Sequence, residues 1–125
     1  MKRFKIAVAG CGSMSETWIK YALERDDAEI VALVDIKEEN ALKMSDRFNL
    51  KCPAYTDLAK AIPDTGANLV FDVTIPESHK TIVITALSLG CDVMGEKPMA
   101  SSMEEAAEMV KIVEMTGKSY AVMQN

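Results

Sequence analysis

The sequence predicts an α/β fold, a doubly wound, parallel six-stranded sheet in three α/β/α layers. Three observations carry this. Short, wholly apolar runs recur at residues 6–9, 30–34 and 69–71, which suits strands buried on both faces. Segments with apolar residues at helical spacing separate them, and alternation of this kind gives a parallel sheet covered by helices on both sides. The first run also passes at once through Gly10 and Gly12 into a helical pattern, which is how a βαβ unit opens. Strand order 3-2-1-4-5-6 is the natural choice, with a crevice between strands 1 and 4.

The elements follow in order. Residues 6–9 form the first strand, and Met14, Trp18, Tyr21 and Ala22 mark the face of the first helix. Residues 29–34 form the second strand. The next helix presents Ala41, Leu42, Ser45 and Phe48 and ends at Asn49, before the connector Lys51-Cys52-Pro53. Ala54-Tyr55 adds a short strand. Thr56 is placed to N-cap a short helix through Ile62, with Pro63-Asp64-Thr65-Gly66 as punctuation. Residues 69–73 form the fourth strand. A long helix runs from His79 to Leu89, and Gly90 stops it in the left-handed conformation. Residues 92–95 form the fifth strand, with exit loop Glu96-Lys97-Pro98-Met99-Ala100. Ser102 and Glu105 make a capping box for a helix ending at Thr116, its core face using Ala106, Met109, Val110 and Val113. Residues 119–124 form the last strand, ahead of Asn125. The nine methionines are expected mostly as core filler.

The glycine turn carries the chemistry. Gly10 permits a tight exit from the strand, and Gly12 lets backbone approach a bound pyrophosphate closely. The helix begins there with unpaired N–H groups and the positive end of its dipole, which suits an anion. Asp35 closes the second strand, 20 residues past Ser15, where such a unit places the acid that holds a ribose hydroxyl pair. Ser15 is the one departure, standing where Gly or Ala is usual for close helix–strand packing. A small shift is expected, with the site kept.

Composition narrows the function classes. A chain of 125 residues is one domain, large enough for a real core. With 14 basic against 19 acidic residues the net charge is −5, and no basic cluster occurs, so nucleic acid and anionic membrane are poor partners. No apolar run approaches membrane-span length, and the run behind Lys2-Arg3 is too short for an export signal. Cys11, Cys52 and Cys91 are odd in number and lack metal-ligand spacing, and there is a single histidine. No metal site is expected, and the cysteines read as reduced thiols of a cytoplasmic protein. Cys11 is expected to fill the turn with a small side chain.

Four stretches together resemble the glucose–fructose oxidoreductase / inositol dehydrogenase (Gfo/Idh/MocA) family: Gly10-Cys11-Gly12-Ser13-Met14, Val34-Asp35, Thr74-Ile75-Pro76-Glu77-Ser78-His79 and Glu96-Lys97-Pro98. The last triplet is the most specific, and the resemblance spans Lys5 to Asn125. It implies a Rossmann domain over residues 1–125, binding NAD, with NADP possible. Members are considerably longer, and their second α/β domain binds substrate and commonly builds the oligomer; that domain is expected to be absent from this chain. The implied activity is hydride transfer between nicotinamide and a sugar, cyclitol or related carbinol or carbonyl, with this chain alone binding cofactor without turnover. The implied cofactor contacts are Gly10, Cys11, Gly12, Ser13, Met14, Asp35, Thr74, Ile75, Pro76, His79, Glu96 and Lys97.

Lys97 is the residue to which the family assigns acid–base work. Oxidising a carbinol requires loss of its hydroxyl proton as hydride leaves, and a lysine desolvated beside a cationic ring has its pKa lowered toward that task. For His79 a packed or capping role shaping the cofactor loop is the plainer expectation, against a general base. Glu96 is expected to orient the loop or a cofactor hydroxyl, and Gln124 and Asn125 end the last strand at the same edge. Two other readings stay open. One is a non-catalytic nucleotide-sensing module. The other is an S-adenosylmethionine-dependent methyltransferase, disfavoured by the chain starting on the glycine strand and by the Glu-Lys-Pro loop.

Overall fold

A computed structural model describes residues 3–96 and 102–123. Six strands, β1 (Phe4–Ala9), β2 (Ala28–Val34), β3 (Ala54–Tyr55), β4 (Leu69–Asp72), β5 (Asp92–Glu96) and β6 (Tyr120–Met123), alternate with five helices, α1 (Ser15–Leu23), α2 (Glu38–Arg47), α3 (Leu58–Thr65), α4 (Pro76–Ser88) and α5 (Met103–Thr116). Every pairing is parallel, in the order β3-β2-β1-β4-β5-β6. The expected order is the observed one.

Alternation along the strands sends side chains to opposite faces. Ala7, Ala9, Val34, Val70 and Val93 meet α3, α4 and α5 through Ala61, Ile62, Val83, Leu87 and Met109. Ile6, Val8, Leu33 and Phe71 meet α1 and α2 through Trp18, Ile19, Ala41 and Met44. Small residues on the first face, Ala7, Ala9 and Ala32, let helices approach the sheet closely.

Several helix faces are rotated from expectation. Met14 and Tyr21 are exposed, while Ser15, Trp18, Ile19 and Ala22 are buried. In α2 Leu42 is exposed and Met44 replaces it in the core. In α5 Val110 is exposed, and Ile112 and Val113 pack beside buried Met109. Met14, Met103 and Met115 lie in solvent, so the methionines are not uniformly core filler. A single row of apolar residues does not say which flank of a helix meets the sheet; the crossing angle decides that.

The ends of the elements follow local chemistry. Asn49 turns the chain after α2 at φ 52°. α3 is capped by Asp57, whose carboxylate accepts from the Ala59 N–H at 3.0 Å, in place of the expected Thr56. α3 also continues through Pro63 to Thr65 before Gly66 stops it. α4 starts earlier than expected, at Pro76 in the first turn, where a missing N–H costs nothing. Ser102 Oγ accepts from the Glu105 N–H and caps α5 as expected.

Candidate functional site

β1 and β4 are neighbours, yet their following helices lie on opposite faces, so the chain parts at their C-terminal ends and opens a crevice. A cavity of about 450 Å³ occupies it. Gly10 and Gly12, Asp35, and Thr74 and Ile75 all line this cavity, drawn from the exits of β1, β2 and β4. Residues separated by up to 65 positions, Gly10 to Ile75, thus meet because three parallel strands end at one edge.

The two glycines do different work. Gly10 has φ +93°, and a Cβ there would stand 2.5 Å from Val73 O and 2.9 Å from Thr74 N. It is the point where the two loops touch. Gly12 has nothing within 4 Å of a notional Cβ. The space in front of it is open, as a backbone meant to meet a ligand requires. Ser15, the departure from the motif, is fully buried, and its hydroxyl donates to Gly12 O at 2.6 Å. The hydroxyl is satisfied inside the turn, so the site keeps its form.

Asp35 braces the turn from below. Its Oδ2 accepts from the Cys11 N–H at 2.8 Å, and its Oδ1 accepts from the Lys37 N–H at 2.9 Å. Asn40 Nδ2 lies 3.5 Å from the same Oδ1. The carboxylate remains partly exposed on the cavity wall, with lone pairs left for hydroxyl donors. Cys11 is buried and points its thiol at Val34 O, so it fills the turn as expected. Burial, and then the Asp35 charge, push its pKa up to about 12.

Apolar side chains in solvent mark the mouth. Ile36 after β2 and Ile75 after β4 line the cavity and are 88% and 63% exposed, while Met14 after β1 is 57% exposed and is not part of the lining. Each follows a strand at the ligand edge, where a flat heteroaromatic ring would find a surface. α1 and α4 have no side-chain N-cap hydrogen bond, although each carries a carboxylate in its first turn, Glu16 and Glu77, so terminal N–H groups at their positive ends are left for an anion. Open backbone at Gly12, a helix terminus without a side-chain cap, the Asp35 carboxylate and exposed apolar ledges fit a dinucleotide.

Other expected site residues sit differently. His79 is 1% exposed and held to Asp72, and it does not line the cavity, which is the packed position that was the plainer expectation for it. Glu96 accepts from Trp18 Nε1 at 2.5 Å and is likewise off the cavity wall. That bond ties the end of β5 to α1, while the Trp18 ring meets Phe71 edge-on at 5.0 Å. Ser13 lines an adjoining groove with Cys11 and Gly12, and Pro76 serves as the start of α4. Lys97, Pro98, Met99, Ala100, Gln124 and Asn125 lie outside the described residues. Sequence reasoning missed Asp72, Ile36 and Asn40. Asp72 ends a buried apolar run, which was a usable signal for a carboxylate with a partner. Among the described residues no cluster of ligating side chains could hold a metal ion.

The fold and the crevice define a dinucleotide-binding α/β domain. The comparison with known proteins makes this specific: residues 4–124 match the Gfo/Idh/MocA oxidoreductase family's NAD-binding Rossmann-fold model, and the chain belongs to that family. Family membership decides against the methyltransferase alternative. D-Apiose dehydrogenase of Paraburkholderia graminis is 31% identical over the whole chain, which covers 33% of that protein. Inositol 2-dehydrogenase/D-chiro-inositol 3-dehydrogenase of Lacticaseibacillus casei is 32% identical over 85% of this chain and 31% of its own. An Agrobacterium radiobacter oxidoreductase, solved with NAD+, L-tartaric acid and magnesium, superposes with TM-score 0.89 at 26% identity, covering 97% of this chain and 35% of that one. The chain therefore spans about one third of the length of these relatives. No helix among the described residues is long and apolar enough to cross a membrane.

Proposed function

We propose that this chain is the cofactor-binding part of an oxidoreductase that moves hydride between nicotinamide and a sugar, cyclitol or related carbinol, with NAD preferred over NADP. One observation carries the reading: Gly12, Asp35 and Thr74 converge on a single cavity in a chain of this family. The nicotinamide ring supplies the hydride acceptor; the rest is the work of side chains and backbone. The turn at Gly12 and the open end of α1 receive the pyrophosphate. Asp35 accepts from ribose hydroxyls while bracing the turn through Cys11. The preference for NAD rests on the cavity lining, which includes Asp35 and Asp57 and no lysine or arginine among the described residues. A 2′-phosphate there would meet like charge without a partner. Lys43 and Arg47 border the neighbouring groove instead, Arg47 paired with Glu16 at 2.9 Å.

Lys97 is the proposed acid–base residue, one position past the Glu96 that Trp18 anchors. Substrate selection and assembly into an oligomer belong, in this reading, to sequence outside this third of the protein. Nucleic acid and membrane are not partners. A reducing cytoplasm agrees with Cys11, Cys52 and Cys91 all being free thiols. Calorimetry with NAD and NADP tests the cofactor reading. NAD should bind the chain, and tighter than NADP; equal or reversed affinities sink the role given to Asp35. Absorbance of reduced nicotinamide over a panel of sugars and cyclitols tests the rest. Turnover is expected from a form with the family's full length and not from these 125 residues, because near-attack geometry needs substrate held against the ring. Undiminished activity of Lys97→Ala in the longer form would remove Lys97 from the chemistry.

A further inference from the structure

Beneath the Thr74 loop lies a polar cluster that the cofactor contacts leave unused. Asp72 ends β4 fully buried, and His79 is 1% exposed in α4. Taking a carboxylate and an imidazole out of water is costly unless they are paired. His79 Nδ1 stands 2.7 Å from Asp72 Oδ2. Thr74 donates its hydroxyl to Asp72 Oδ1 at 2.5 Å and its N–H to the same oxygen at 3.1 Å. A carboxylate that already accepts twice has acceptors to offer, so the proton in the contact with His79 sits on Nδ1. Thr74 Oγ1, 3.2 Å from that nitrogen, is its second acceptor.

This leaves Nε2, which is buried and has no partner among the described residues. The Tyr120 hydroxyl is the other buried side-chain atom in that position. Tyr120 packs in the same layer, against the cluster that α3, α4 and α5 cover. Gly95 makes room for it: a Cβ at Gly95 would stand 3.5 Å from the Tyr120 ring and 3.4 Å from Asp72 Cβ. Burial, and then the Asp72 charge, push the tyrosine pKa up to about 12, so the hydroxyl keeps its proton as a donor. A donor without an acceptor and a ring nitrogen without a partner thus flank one buried carboxylate. Buried polar groups are almost always satisfied, by water where protein does not reach.

We propose that Tyr120, one enclosed water and His79 form a buried relay to Asp72 that positions Thr74 on the wall of the cofactor cleft. His79 and Tyr120 are positioning residues and touch no cofactor; the consequence for binding rests on the reading of the cleft as a NAD site. Asp72 holds the Thr74 hydroxyl and N–H only while its carboxylate is kept in one orientation, and Nδ1 is what keeps it there.

The single histidine makes the test direct. The imidazole ¹⁵N spectrum of the folded chain should show Nδ1 carrying a proton; a bare Nδ1 overturns the relay. Tyr120→Phe removes a hydroxyl that the relay holds bonded, so the melting temperature should fall. An unchanged or raised melting temperature shows an orphaned hydroxyl and overturns it too. Both measurements need no cofactor, so they stand apart from failure of the NAD reading. His79→Leu should weaken NAD binding about tenfold, the scale of one hydrogen bond to a charged group. His79→Asn, with an amide donor near the place of Nδ1, should restore most of that loss. Should His79→Leu fail to fold, Asn and Tyr120→Phe carry the comparison. Equal losses in Asn and Leu leave His79 as packing only.

Discussion

Replacing Gly10 and replacing Gly12 should damage this protein in opposite ways. A methyl at Gly10 meets three backbone atoms, Val73 O at 2.5 Å, Val73 C at 2.7 Å and Thr74 N at 2.9 Å, and none can rotate away. The residue also sits at φ +93°, where an L side chain costs about 1–3 kcal/mol. Overpacking adds about 1–3 kcal/mol, so Gly10→Ala should lose about 2–6 kcal/mol. Domains of this class have only about 5–15 kcal/mol in total. For a chain of this size the melting temperature should fall by about 10 °C or more. Gly12 has no atom within 4 Å of a notional Cβ and is not among the positive-φ glycines. Gly12→Val should therefore leave stability within about 0.5 kcal/mol of wild type while abolishing NAD binding, because the new side chain fills the pyrophosphate's approach. Calorimetric melting and NAD titration on both variants check this. A Gly10→Ala melting point within about 3 °C of wild type would show that the β1–β4 contact relaxes freely. Retained NAD affinity in folded Gly12→Val would place the ligand elsewhere.

Three further outcomes are expected. Asp35→Ala removes both the ribose acceptor and the brace on the Cys11 N–H, so NAD affinity should drop by about 10- to 100-fold, the worth of hydrogen bonds to a charged group, and the NAD/NADP preference should narrow; calorimetry reads both. Trp18 is the only tryptophan and donates to Glu96, so its fluorescence should change on NAD binding, and Glu96→Leu should shift the unliganded spectrum by freeing the indole N–H. Burial holds the folded-state pKa of Cys11 up at about 12 and of Cys91 at about 11, against an ordinary 9.0. Both thiols are neutral folded or unfolded below pH 9, and above it the unfolded chain ionises first, so stability should be level to about pH 8.5 and then decline as pH rises toward 11–12. Thermal melts across that range check the sign, and a rise in stability there would contradict it.

The sequence by itself determined the order of elements, the parallel sheet and the place of the ligand edge. Those are local or topological matters: apolar runs of strand length, the period of the helices, and glycine at a turn that needs it. Gly10, Gly12, Asp35 and Thr74 were readable because each follows a buried strand, and parallel strands must end together. Helix faces were less readable, since Tyr21, Leu42 and Val110 satisfy the same spacing as their buried neighbours and only packing against the sheet excludes them. The partners of polar groups were not readable at all. Whether Glu96 faces a ligand or Trp18 depends on α1 crossing above the end of β5, 78 residues away in sequence. That His79 packs was the plainer expectation, but its partner was not readable: Asp72, buried at the end of β4, draws the ring inward and leaves Thr74 on the cavity wall. A strand carries its own period, but a hydrogen bond between distant elements exists only once the sheet has assembled and water has left.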